Sequence, residues 1–163
     1  MSEHDSHGIQ EPNRNAAAIW GAGGRQYDLV SFAISDALAH TVQRLSPKPS
    51  DKVLDVATGT GWSARNAARF GAKVAAIDIS ADLIDAARRL SAGVEPTIDY
   101  HVADAENLPF PDESFDKVFS TFGVIFARDH RRAASELTRV CRKGGRLCMS
   151  TWSPTAPLPD SSL

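Results

Sequence analysis

Val53-Leu54-Asp55-Val56-Ala57-Thr58-Gly59-Thr60-Gly61 is the stretch that decides the fold. An apolar run delivers the chain to a turn holding two glycines. Residues 62–70 then place Ala64, Ala67 and Ala68 along a helix. The pattern predicts a short buried strand over residues 52–57, a tight turn, and a helix starting at once.

Working outward, the same alternation repeats. Upstream, Val30, Ile34, Leu38, Val42 and Leu45 recur at spacings of three and four, which predicts one helix over residues 27–45, ended by Ser46-Pro47-Lys48-Pro49. Downstream, a second strand is expected over Lys73–Asp78, with Ser80 capping a helix over Ala81–Leu90. A third strand is expected over residues 97–102 and a fourth over 116–121. A helix over 129–142, a Gly144-Gly145 turn and a fifth strand over 146–152 follow. Strands alternating with helices imply a parallel sheet with right-handed crossovers. The fold class is therefore α/β, a Rossmann-like doubly wound sheet of five strands in the order 3-2-1-4-5, with helices on both faces. Ligands of such sheets bind beyond the carboxyl ends of the strands.

Three regions divide the chain. Residues 1–15 are polar and bury almost nothing, so residues 1–26 read as a disordered or lid-like segment. Residues 27–152 form the core. Residues 153–163 carry Pro154, Pro157 and Pro159 and read as an irregular tail.

Composition narrows the partners. A formal net charge of -2 with no block of like charge gives no attraction for nucleic acid. No apolar run approaches the roughly 20 residues that span a bilayer. The first residues lack the basic-then-apolar order of a signal peptide, so a cytoplasmic location is expected. Cys141 and Cys148 read as reduced thiols rather than a disulfide, and no metal cluster is expected.

The chemistry centres on three acids and the glycine bend. Gly59 and Gly61 let a ligand lie against the backbone, and the helix start offers free N–H groups. Gly59-Thr60-Gly61-Trp62-Ser63-Ala64 also fits a dinucleotide fingerprint. Asp55, four residues before Gly59, suits a ligand carrying an ammonium group and is a poor neighbour for a pyrophosphate. Asp78 ends the second strand, where an acidic side chain accepts from ribose hydroxyls. Asp104 follows the third strand and could accept from an adenine amine. These acids are expected to converge on one groove.

Together the segments VLDVATGTG, AIDIS, ADAENLPFPDESFD, VFSTFGVIFA and ELTRVCRKGGRLCMSTW resemble the class I S-adenosylmethionine-dependent methyltransferases. The nearest likeness is to the family that includes the ubiquinone and menaquinone biosynthesis C-methyltransferases. It runs from Asp51 to about Trp152. The resemblance implies that S-adenosylmethionine is the cofactor and a small molecule the methyl acceptor. It implies that Asp55, Ala57, Gly59, Thr60 and Gly61 cradle the methionyl part. Asp78 and Ile79 would hold the ribose and Asp104 and Ala105 the adenine, while Thr121, Phe122 and Gly123 would border the methyl group. Pro109-Phe110-Pro111 and Phe115 read as packing and turn residues.

The implied reaction is an in-line displacement, for which the protein aligns the reactants and keeps water out. His130 is the one candidate general base near the active face, and also reads as a polar residue at a helix start. Trp20, Gly21, Arg25 and Tyr27 could close over the cofactor. Family members continue past the fifth strand with a helix and an antiparallel strand pair, which this sequence lacks. The fifth strand would then be an apolar edge, which implies either a homodimer that covers it or a truncated, weakly active chain. Two other readings stay open: a non-catalytic S-adenosylmethionine-binding module and an NAD-binding oxidoreductase.

Overall fold

The computed structural model describes residues 8–23 and 27–153. Five strands form one sheet in the order β3-β2-β1-β4-β5: β1 Lys52–Val56, β2 Lys73–Asp78, β3 Asp99–Val102, β4 Phe115–Thr121 and β5 Cys141–Ser150. Every neighbouring pair is parallel. The expected doubly wound architecture and strand order are present.

Side chains of the central strand alternate between its two faces, both buried, and split the core in two. Val53 packs on one face with Val42, Leu45, Ala64, Ala67, Ile84 and Phe119. Leu54 and Val56 pack on the other with Ile77, Val118, Leu137 and Val140. Helices α3 (Ser35–Leu45), α4 (Trp62–Ala68) and α5 (Ala81–Leu90) supply the first face. Helix α6 (His130–Val140) covers the second, with the segment that joins β3 to β4. The Ser80 hydroxyl accepts from the Leu83 amide at 3.3 Å, as a helix N-cap should.

The long β3–β4 connection is held from α6. Arg139 donates to the carbonyls of Leu108 and Phe110 and pairs with Glu136 and Asp112. Glu136 in turn accepts from the Leu108 amide at 2.7 Å. Phe110 meets Phe115 edge-on at 5.0 Å, the packing role expected of both. This clamp fixes the loop that carries Asp104.

Four local expectations need correction. The helix expected over 27–45 is two helices, α2 (Tyr27–Ala33) and α3, because Ile34 leaves helical geometry with φ −113° and ψ 18°. The bend takes Val30 off the shared apolar face and leaves it exposed. The third strand starts at Asp99 rather than residue 97. Helix α6 stops at Val140, and β5 begins at Cys141. The glycine pair lies inside β5, where pairing slips from Phe115↔Cys141 to Lys117↔Arg146. Cys141 is thus a strand residue, and both cysteines lie on β5 as free thiols.

The fourth correction concerns the N-terminal segment. Within the segment expected to be disordered or lid-like lie a 3-10 turn, Glu11–Asn13, and a helix, α1 (Arg14–Gly21), packed on α5. Polar contacts rather than apolar burial hold its start. Asn13 is itself buried, and its Nδ2 donates to Asp104 at 2.8 Å. Residues 1–7, 24–26 and 154–163 lie outside the described residues, and with them Arg25 and the proline-rich tail. No helix among the described residues is long and apolar enough to cross a membrane.

Candidate functional site

The carboxyl ends of β1, β2 and β4 meet beneath α1. The backbone there is tightly turned. Ala57, Gly59 and Gly61 after β1 all take positive φ, at 59°, 59° and 81°. Phe122, just past β4, does the same at 59°. For alanine or phenylalanine that conformation costs roughly 1–2 kcal/mol, and such residues gather at ligand and catalytic sites. Gly123 packs against this bend so closely that a Cβ there would sit 2.5 Å from Ala57 Cβ.

Asp55 points inward from β1 and is fully buried. Its Oδ2 accepts from the Thr58 hydroxyl at 2.7 Å, while its Oδ1 has no partner. Burial raises its pKa to about 7. The Thr58 hydrogen bond opposes the rise, the neighbouring Asp78 adds to it, and the Ala64 amide opposes it. An unpaired buried carboxylate oxygen is a standing acceptor for a cation.

Asp78 is held by backbone amides, one on each oxygen. Its Oδ2 accepts from the Gly59 amide at 2.8 Å and its Oδ1 from the Ser80 amide at 3.0 Å. Burial raises its pKa against those amides. The Tyr27 ring lies over Gly59, 3.1 Å from where a Cβ would stand. Burial, and then the charge of Asp78, raise the Tyr27 phenol.

Two cavities open here. The larger, of about 320 Å³, has Asn13, Ala16, Ile19 and Trp20 as its roof and Ile79, Asp104, Ala105 and Val124 beneath. The smaller, of about 50 Å³, lies among Trp20, Tyr27, Ala57, Gly59 and Asp78. Trp20, Gly123 and Phe126 line both, and the Trp20 and Phe126 rings meet at 4.9 Å.

The expected single groove is therefore two adjoining spaces divided by an aromatic contact. Asp78, Ala57 and Gly59 line one, and Ile79, Asp104 and Ala105 the other. Asp55, Thr60, Gly61, Thr121 and Phe122 line neither. Asp55 sits buried one residue behind Val56. The Thr60 hydroxyl donates to Asp28 at 2.9 Å, which ties the glycine bend to α2. The Thr121 and Ser63 hydroxyls share a hydrogen bond of 3.0 Å. Phe122 stacks on Trp152 at 4.5 Å, and Gly123 takes the place beside the cavity. His130 starts α6, exposed, with Nε2 2.8 Å from the Ile125 carbonyl, and lines neither of these cavities. That geometry fits a helix-start residue.

Asn13, Phe126 and Asp28 were missed from the sequence. Pro12 followed by Asn13 and an alanine run was a readable helix start. Phe126 and Asp28 carry no such local mark, since only tertiary packing brings them here.

Comparison with known proteins agrees with the fold. The family described as "Methyltransferase domain" matches residues 54–149, more than half of the chain. An uncharacterized protein of Mycobacterium tuberculosis is 43% identical over 105 residues, which cover 64% of this chain and 38% of that protein. A demethylmenaquinone methyltransferase of Corynebacterium urealyticum is 35% identical over 155 residues, 91% of this chain and 65% of that protein. The crystal structure of BH2331 from Bacillus halodurans C-125 superposes with a TM-score of 0.67 at 36% identity, covering 76% of this chain and 53% of that one. The chain thus spans less than two thirds of the length of each. A glycine bend after β1, an acid closing β2 and a sheet in the order 3-2-1-4-5 are accompanied by a family match across all five strands, and the chain belongs to the methyltransferase domain family.

Proposed function

We propose that this chain binds S-adenosylmethionine and directs its methyl group to a small-molecule acceptor. The observation that carries the reading is Asp55: a fully buried carboxylate with one oxygen unpaired, behind a left-handed bend. That acceptor suits the ligand's ammonium group and would repel a pyrophosphate, which disfavours NAD. The larger cavity supports the assignment of Asp104 and Ala105 to the adenine, and Asp78 and Ile79 are the residues for the ribose.

When bound, S-adenosylmethionine supplies a methyl group activated by a sulfonium. The chain's own residues position and shield. The Gly59–Asp78 hydrogen bond and the Thr58–Ile77 hydrogen bond hold the ends of β1 and β2 together. Ile19, Trp20 and Phe126 form an apolar mouth that excludes water.

We read residues 11–23 with Tyr27 as a lid. The 50 Å³ space beside Asp78 holds a few waters and no ribose, so Trp20 and Tyr27 must move aside for ligand. The apolar mouth, and the name of the Corynebacterium relative, favour a quinol-like acceptor. The free thiols of Cys141 and Cys148 favour a reducing, cytoplasmic setting. A second copy would cover the edge of β5, where Leu147 and Met149 are exposed.

Calorimetric titration with S-adenosylhomocysteine and with NAD tests the binding step. Micromolar binding of the first and none of the second is expected; the reverse overturns the reading. Turnover of methyl-labelled cofactor against quinol, phenol and amine acceptors tests transfer. No turnover with any of them would leave a binding module.

A further inference from the structure

We infer, on the cofactor reading above, that Asn13 selects the nucleobase: its side-chain oxygen and Asp104 form a pair of acceptors for the 6-amino group of a purine. Asp104 accepts from three N–H donors: Asn13 Nδ2 at 2.8 Å, the Gln10 amide at 3.2 Å and the Glu106 amide at 2.9 Å. A carboxylate has about four acceptor positions. Two of the three bonds fall on Oδ2, so the open position is on Oδ1. Because the Asn13 nitrogen must face the carboxylate, its Oδ1 faces away. No described residue donates to that oxygen, and it is not among the sealed, unpartnered atoms of the interior.

Both residues line the 320 Å³ cavity, between apolar walls that suit the two faces of a flat base. The amide cannot rotate to become a donor without giving up its bond to Asp104. The edge therefore presents two acceptors, with the amide's second N–H beside them. A 6-aminopurine brings both N–H groups of its amine to those acceptors, whereas a 6-oxopurine brings one N–H, at N1, and a carbonyl oxygen that faces an acceptor. Sites built to meet a donor reject analogues that lack it far better than apolar pockets reject a missing methylene.

The test compares S-adenosylhomocysteine with S-inosylhomocysteine by calorimetry on the full chain, its Asn13→Ala variant and its Asn13→Leu variant. Hydrogen exchange of α1 in the ligand-free proteins is followed alongside. The wild-type chain is expected to prefer the adenosyl ligand at least tenfold. Both variants should narrow that ratio to threefold or less by weakening the adenosyl ligand, with α1 still protected. An unchanged ratio in both variants overturns the inference. So does equal weakening of both ligands with loss of α1 protection, which would make Asn13 only a fastening for the roof. A wild-type chain that binds neither ligand overturns the cofactor reading itself. One that binds the adenosyl ligand while the variants keep its ratio overturns only the role of Asn13.

Discussion

Gly123 and Ala57 touch so closely that a methyl group on the first would stand 2.5 Å from the Cβ of the second and 2.8 Å from its carbonyl oxygen. Neither neighbour can retreat, because Ala57 is held in the left-handed region and its successor's amide donates to the Ile77 carbonyl at 2.9 Å. Gly123→Ala should therefore cost about 1–3 kcal/mol, the usual range for overpacking. Ala57→Gly removes both the strained φ and the nearer obstacle. Alone it should stabilise by about 0.5 kcal/mol, since relief of left-handed strain exceeds the entropy that glycine adds to the unfolded chain. Combined, the two should be less than additive by about 0.5–1 kcal/mol. Urea denaturation of the four proteins measures the cycle, and simple additivity would show that the two residues do not press on each other.

Arg139 is the clamp on the β3–β4 loop, and its geometry is planar and multidentate. It donates to two loop carbonyls and to both oxygens of Glu136. Lysine cannot reproduce that fork. Arg139→Lys should lower stability by about 1–2 kcal/mol, because buried loop carbonyls lose their donors. It should also weaken S-adenosylhomocysteine several-fold, because Asp104 rides on the same loop. Thermal denaturation and calorimetry read the two effects, and a variant with unchanged affinity would mean that Asp104 is held without the clamp.

The sequence made the central strands legible because their signals are local. Val53 to Val56 and Val74 to Ile77 are apolar runs closed by a turn, and Ser80 sits where a cap belongs. Asp78 could be placed as a site residue for the same reason: it ends a strand whose boundaries are sharp. The N-terminal roof was not legible, because Asn13 docks by one hydrogen bond to a residue 91 positions away rather than by any apolar period. The start of β5 was missed because Arg142 to Gly145 loop out within a strand. The burial of Asp55 behind the bend was invisible too, since the alternation of β1 shows which face a side chain takes and not what covers it.

The edge of β5 carries the oligomeric reading. Leu147 and Met149 alternate with Cys148, whose thiol lies toward the Thr41 carbonyl of α3. The two exposed residues thus share the opposite face, 41% and 43% accessible. A second copy that pairs along this strand would cover them and the unpaired backbone together. Sedimentation at tens of micromolar should show a dimer, and Met149→Lys should shift it to monomer by placing a charge in the interface. A monodisperse wild-type monomer at that concentration rules the pairing out.

Asp55 sets stability and ligand affinity against each other as pH changes. Its carboxyl is raised from 3.8 to about 7 in the folded chain, chiefly by burial. Between those values the folded state holds a proton that the unfolded state has released, so stability falls as pH rises through the window. The full penalty is present above pH 7 and amounts to at most ~4 kcal/mol. Asp78 is raised as well and tilts the slope the same way. An ammonium ligand needs Asp55 ionised, so its affinity should move in the opposite direction. Between pH 6 and 7.5 the wild-type chain should lose stability in urea while its affinity for S-adenosylhomocysteine rises several-fold. Asn in place of Asp55 should flatten both trends, leaving only the slope due to Asp78, and bind the ligand at least tenfold more weakly at pH 7.5. If the wild-type affinity instead falls or stays level across that range while Asp55→Asn still binds, then the ammonium group is held elsewhere and the buried oxygen of Asp55 is not its partner.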